Sequence, residues 1–571
     1  MAESILSPGV YARENDLSFR TEVAVEAGAA IIGPTVKGPK EIPTLVTSYS
    51  DYKNRFGDKI LSGSKYYSYF TSLAVENYFN NGGTSMLVTR VVSGSYDPAT
   101  STPVSNSLST TAFTLETIAE GALQNSDSTE TSGSLASGSA DNLRWEVTGA
   151  DTGSGTFNLL IRRGDDNSEN DKVILETWVD LSLDPNQNNY IAKVIGDYKY
   201  GKITDGSDIT IGLVTGSYPN ASRYVRVSSV GTPTVDYFDN NGDAKTSLTG
   251  SIPVNASGAF SGASGDIAST TNFYQNAAVG TLSQGIHADN YSDAITILRN
   301  KDQYNFNIIT VPGLWKNNSN FSSTITSVVN LAQDRGDCIF PLDLTAWANP
   351  TVSSAVTEAQ TFNTNYAAAY WPWVQVADNA VGENVWVPAS VVIPGVYAFN
   401  DAQTAPWFAP AGINRGGLGS VIRAQVNLTK SQRDTLYNGK VNPIATFPGQ
   451  GVTVFGQKTL QKKPSALDRV NVRRLLIELK GFIGSQSRRL VFEQNTTRTR
   501  NQFLSIVNPY LESVQQRQGL YAFKVVMDDS NNTPDVIDRN ELVGQIYLQP
   551  TRTAEYIILD FNVQPTGASF E

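Results

Sequence analysis

Between Arg90 and Arg144 the chain carries no Lys or Arg, and 17 of residues 101–140 are Ser or Thr. A stretch this polar cannot continue the pattern that flanks it, in which apolar strands alternate with helical segments. Short alternating runs follow (Leu143 to Thr148, Phe157 to Arg162, Val173 to Val179, Tyr224 to Val227), divided by Gly, Asn and Asp. That is the pattern of an all-β module with a Ser/Thr-rich entry. Residues 98–283 are therefore read as a β-rich insert within an α/β framework.

The framework begins after an arm, residues 1–22. Ser7-Pro8-Gly9 marks a turn, and Val10, Tyr11, Ala12 and Arg13 lead a short strand with no local partner. An isolated strand leaves its N–H and C=O groups unpaired, so this one needs a sheet elsewhere. Residues 23–97 supply strands at Val23 to Ile32, Ile42 to Val46 and Met86 to Val92. A helix from Asp51 ends at Gly57, and Tyr66 to Phe79 has helical spacing with Phe70, Leu73, Ala74 and Tyr78 on one face. The pattern resumes with helices at Asp293 to Asn300, Ser322 to Gln333 and Ser353 to Phe362. Strands at Phe306 to Val311, Cys338 to Leu342 and Tyr370 to Val376 alternate with them. This order predicts a mostly parallel sheet covered on both faces. The longest apolar run, around Val385 to Phe399, is broken by Pro388 and Pro394 and is too short to cross a membrane.

Residues 284–400 are read as one α/β domain and 401–571 as a C-terminal domain. In the latter, Ser465 and Asp468 resemble a capping box, followed by Val472, Leu475, Leu476 and Leu479 at helical spacing as far as Gly481. A second helix runs from Ser487 towards Val507, and Asn508-Pro509 starts a third. Three strands close the chain: Tyr521 to Met527, Leu542 to Leu548 and Glu555 to Val563. In the last, Ile557, Leu559, Phe561 and Val563 alternate to give one apolar face.

Little here serves catalysis. One His and one Cys among 571 residues exclude an intrachain disulfide and a Cys/His zinc site, and any His-dependent triad would have to use His287. His287, in Gly-Ile-His-Ala-Asp-Asn, reads as a loop or cap residue, and Cys338, opening an apolar strand, as a buried thiol. Gly451 to Thr459 approaches a phosphate-binding loop, but Gln457 separates Gly456 from Lys458 and Val452 to Phe455 reads as a strand. Gly416-Gly417-Leu418-Gly419 lacks dinucleotide-binding spacing. Asp528 to Asp535 lacks the glycine and final glutamate of a calcium loop. Asp165-Asp166 lies in a polar turn where solvated acids are the norm. No catalytic, cofactor or metal site is expected, and no enzymatic activity.

The formal charge of −11 argues against the whole chain coating nucleic acid or an anionic membrane. The first ten residues lack a signal peptide's basic start and apolar run, so a soluble protein made in the cytosol is expected. One segment opposes the trend. Lys458 to Arg500 holds eleven basic residues against three acids, and removing this +8 leaves −19 on the rest. Arg469, Arg473 and Lys480 fall along one side of the first C-terminal helix. They read either as a solvated face or as a docking strip for an acidic partner.

Several stretches together resemble the tail sheath proteins of contractile-tailed phages and related injection particles. They are Ser7-Pro8-Gly9-Val10-Tyr11, Gly33-Pro34 through Gly38-Pro39 to Phe56-Gly57, and Tyr78-Phe79-Asn-Asn-Gly82-Gly83 with the strand from Leu87. Further on are Gly449 to Leu460, Asn508-Pro509-Tyr510-Leu511, and Asn531 to Asp535 followed by Ile537 to Leu542. The resemblance covers roughly residues 1–95 and 290–571 and leaves the insert unmatched. It implies an α+β multidomain subunit with a tube-proximal core and an outer insert. Its terminal arms exchange strands between subunits, through Val10 to Arg13 at one end and Ile557, Leu559, Phe561 and Val563 at the other. Stacked sixfold rings of the chain would surround a tail tube, touched through Arg469, Arg473 and Lys480, and contract to drive it through the host envelope for genome delivery. Baseplate and tail terminator proteins are the further implied partners, with the virion tail as location after assembly in the host cytoplasm, no direct contact with nucleic acid and no membrane insertion. The alternative of a different class is a glycan-binding or glycan-degrading phage protein acting through residues 98–283, because paired carboxylates need no His.

Overall fold

The computed structural model describes residues 25–62, 64–102, 104–126, 138–166, 172–265 and 272–558. The Val10 to Arg13 strand, Leu559, Phe561 and Val563 lie outside them.

Successive residues of the strand Ala29–Gly33 point to opposite faces, and each face is buried: Ala29 and Ile31 join one apolar cluster, Ala30 and Ile32 another. Met86–Arg90 and Ile309–Thr310 flank this strand in parallel, and Thr44–Val46 closes the edge antiparallel. Strands from both sides of the insert thus share one sheet. Backbone bonds from Ile309 N to Ile339 O (3.1 Å) and from Ile339 N to Asn307 O (3.0 Å) carry the framework onward. Phe340–Asp343, Ala367–Trp371 and Val441–Phe447 follow in parallel, with Gly451–Val454 antiparallel beyond them. Helices Phe70–Asn80 and Ala389–Gln403 cover one face; Ser292–Ile297, Ser322–Arg335 and Val352–Ala359 cover the other.

The insert builds an antiparallel eight-stranded sheet whose strands fall between Pro98 and Ser261, around its own core with Phe113 stacked on Phe157 at 5.5 Å. Its hairpin Lys199–Asp205/Asp208–Thr215 leaves that sheet and lies on the framework. Ile209 and Ile211 pack against the framework core there, and Lys202 pairs with Glu41 and Asp293. At the entry, buried Arg90 donates to Gly38 O (2.6 Å) and Glu120 O (2.8 Å), and Lys37 donates to Ala140 O (3.1 Å). The insert ends before residue 283. Phe273 and Tyr274 belong to the framework core, Phe273 stacking on Tyr67 at 4.3 Å.

Residue 400 is not a boundary either. Tyr370 to Val376 forms two strands rather than one, Ala367–Trp371 and Val374–Asp378, and these pair with Val441–Phe447 and Val421–Ala424 respectively. Hydrogen bonding therefore ties 367–378 to 421–447, and a separate cluster forms around Leu475, Leu479, Phe503, Val507 and Leu511.

Two prolines sit inside helices. Pro394 lies in Ala389–Gln403, where the bond it cannot make to Ser390 O is replaced by one from the Thr310 hydroxyl at 3.3 Å. Pro509 interrupts nothing: one helix runs Thr497–Gln516, and the carbonyl left without a partner belongs to solvent-facing Ser505. Ser465 caps a short 3-10 turn rather than the helix, which starts after extended Arg469 and passes Gly481 to end at Arg488.

Candidate assembly surface

The two long C-terminal helices place their apolar stripes against the hairpin Leu520–Val526/Gln545–Pro550. Phe523, Val525, Ile546 and Leu548 face this cluster, whereas Tyr521 and Tyr547 are exposed. Among the described residues neither outer edge of the hairpin pairs with another strand. Such an edge offers N–H and C=O groups in a row, a template for a further strand.

The chain leaves this hairpin as residues 551–558, which form no strand; the strand expected from Glu555 is absent up to Ile558, where the description ends. Ile557 is exposed. Glu555 is held tightly by Arg469, Nε at 2.6 Å and Nη2 at 2.9 Å. Residues 551–556 form one wall of a cavity of about 1280 Å³ that also takes in Trp407, Arg433, Tyr437 and Phe455.

Arg469, Arg473 and Lys480 do not make an exposed strip. Arg469 is occupied by Glu555 and Asp468. Arg473 is 3% exposed, donating to Asn365 Oδ1 at 3.0 Å with its guanidinium 4.4 Å from the Tyr366 ring. Arg474 is equally buried, over Tyr397 and paired with Asp401, and Arg500 pairs with Asp529 at 2.7 Å. Helical spacing alone mistook a buried side for an outer one, because arginine stems pack on aromatic faces while their heads reach partners. Lys480 does face solvent, as do Arg488, Arg489 and Arg498.

The segment resembling a phosphate loop has another task. Gly451–Val454 is a strand, Gln457 turns onto the tail, and Lys458 lies 3.7 Å from the centre of the Tyr437 ring. Burial, with Lys440 and Arg469 nearby, pushes the Lys458 amine down to about 8. His287 N donates to Asn290 Oδ1 at the head of a 3-10 turn, and Cys338 is buried. Asp166, expected to be solvated, is instead 2% exposed between Arg144 and Arg162. Glu555 and Tyr437 were not singled out by sequence reasoning, and Gln457 was noted only for breaking the phosphate-loop spacing. The available signal was an acid placed directly before the apolar run Tyr556 to Leu559.

A family model for the phage tail sheath protein central domain matches residues 284–460, and one for the phage tail sheath C-terminal domain matches residues 462–564. The chain belongs to the phage tail sheath family. This is a structural family, not an enzymatic one, and the resemblance carried by the sequence motifs is borne out. The tail sheath protein of Vibrio phage KVP40 is 39% identical over 222 residues, 39% of this chain and 33% of the relative. That of Enterobacteria phage T4 is 42% identical over 188 residues, 33% of this chain and 28% of the relative. The matched stretch thus spans about a third or less of these sheath relatives' length. The fold is shared with the sheath tail protein of Listeria innocua (TM-score 0.51, 11% identity, 92% of this chain and 96% of that one).

Proposed function

We propose that this sheath protein is a subunit of a contractile tail that polymerises as stacked sixfold rings around an inner tail tube. Contraction would drive the tube through the host cell envelope for genome delivery. The carrying observation is the back-to-back match of central and C-terminal sheath domains over residues 284–564. The open hairpin edges support it, because they suit strands donated by neighbouring copies. The donors in this reading are Val10 to Arg13 from one end and Ile557, Leu559, Phe561 and Val563 from the other. The framework faces the tube, the insert decorates the outside, and baseplate and terminator proteins meet the ends of the stack in the virion tail.

Electron microscopy of the full-length chain beside one lacking residues 1–22 tests the assembly. Rings or hollow tubes are expected from the full chain and not from the truncation. Tubes from both would remove the arm's role. A full-length chain that stays monomeric at high concentration with its tube partner present would end the sheath reading.

In this reading the tube contact falls to Lys480 with the exposed Arg489 and Arg498, because Arg469, Arg473 and Arg488 are engaged within the subunit, Arg488 by Asp302. Exposed ion pairs contribute roughly 0–1 kcal/mol each, so the contact is weak per residue and sensitive to salt. Lys480→Glu combined with Arg489→Glu is expected to reduce co-sedimentation with tubes while leaving thermal stability unchanged. Undiminished co-sedimentation would place the tube elsewhere.

A further inference from the structure

Four hydrogen bonds converge on the carboxylate of Glu555. Arg469 supplies two, at 2.6 and 2.9 Å, Tyr437 OH a third at 2.8 Å, and Gln457 Nε2 a fourth at 3.3 Å. The donors come from three places: helix Lys430–Asn438, the stretch after strand Gly451–Val454, and the residue that opens helix Val470–Arg488. Gln457 Nε2 also donates to Thr553 Oγ1 at 2.6 Å, so the tail is gripped at two alternate residues. Arg469 is itself steadied by Asp468 Oδ1 at 2.8 Å. Burial pushes the Glu555 carboxyl up, but the bonds from Arg469 and Tyr437 outweigh it and hold it below its ordinary value. Immediately afterwards Tyr556, Ile557 and Ile558 are 78%, 79% and 84% exposed. A firmly bound residue is thus followed at once by three large uncovered ones.

We propose that Arg469, Tyr437 and Gln457 form a carboxylate socket that anchors the root of the C-terminal tail to its own subunit, so that the segment offered to a neighbour starts after Glu555. The socket is a feature of the single chain; its consequence for exchange rests on the sheath reading. An anchor at residue 555 rather than at the hairpin end shortens the free segment and raises its effective concentration at the neighbour's sheet edge. It also fixes which side chains face that edge, because a slip of one residue turns every side chain over. Two bonds from one guanidinium to one carboxylate give the orientation such a root requires.

The test uses the full-length chain with Ile558→Cys carrying a nitroxide; the native thiol, Cys338, is buried. Glu555→Gln and Tyr437→Phe are made in the same background. Glu555 lies on the tail, outside every helix and strand, and is partly exposed, so its replacement leaves those elements in place. Several-fold faster nitroxide motion is expected in Glu555→Gln, a smaller increase in Tyr437→Phe, and shorter or fewer polymers from both at matched concentration. Unchanged motion in Glu555→Gln overturns the socket whatever polymers form. Faster motion with undiminished polymerisation overturns its part in exchange. Should the parent chain itself form no polymers, the sheath reading fails, and the nitroxide comparison still decides the socket.

Discussion

Asp166→Asn is expected to remove about 3–5 kcal/mol from the inserted module, the cost of taking one partner out of a buried ion network. Asp166 Oδ1 accepts from Arg144 Nη1 at 2.9 Å and Oδ2 from Arg162 Nε at 2.6 Å. The two arginines face each other on paired strands, Leu143–Asp151 and Thr156–Arg163, and neither side chain is more than 2% exposed. Without the carboxylate's charge, two guanidiniums remain side by side in the interior. Glu146, bonded to Arg162 at 2.8 Å and shared with Lys172, compensates only in part. The insert has its own apolar core, so calorimetry should show its transition falling by roughly 10 °C while that of the framework stays put. Asp165→Asn is the control. Its pair with Arg163 is more than a third exposed on both sides, so about 0–1 kcal/mol is expected. Equal effects of the two substitutions would show that the buried network does not hold the module together.

The second large effect concerns pH. Strand Phe340–Asp343 ends in a carboxyl that accepts from Ser390 N at 3.0 Å and meets the Ser390 hydroxyl. It thereby caps helix Ala389–Gln403, whose own N-cap, Pro388, has no side-chain acceptor. Burial pushes this carboxyl from its ordinary 3.8 up to about 7, against the opposing pull of the Ser390 bonds. Because the folded state holds the proton more tightly than the unfolded chain, the protonated carboxyl's stabilisation is complete below about 4. It is lost as pH rises towards 7. The loss attributable to Asp343 is about 3–4 kcal/mol. Asp343→Asn should flatten this slope and be the more stable protein at pH 8, read from denaturant midpoints at pH 4 and pH 8. An identical slope in both proteins would mean that the carboxyl is already ionised in the folded state below pH 4.

Asp343 and Asp166 also show where a sequence stops being readable. Each stands among ordinary turn or strand residues, and each is buried only because distant segments close over it. Elements with strong local signals were legible: the two-faced strand at Ala29–Gly33, the helix Phe70–Asn80, and the all-β character of the insert. The prolines misled because their local cost is real. It is met at residue 394 by a hydroxyl from a strand some 80 positions away, and no window of sequence reveals that. The basic strip failed for the same reason. Arg473 and Arg474 find Tyr366 and Tyr397 only in the finished fold. The family motifs succeeded where periodicity did not, because they record solutions to these distant contacts without explaining them.

The sharing of one sheet by strands on both sides of the insert sets a schedule for synthesis. Ala29–Gly33 has Met86–Arg90 as a neighbour early, but its other edge waits for Ile309–Thr310, 219 positions after Arg90. At about 5–20 residues per second, that wait lasts roughly 10–40 s. The insert, whose strands all fall between Pro98 and Ser261, can fold within that interval, while the first α/β half remains a nascent chain with an open apolar edge. Protection during translation is therefore needed most by the first hundred residues, although they contain some of the most deeply buried strands of the finished subunit.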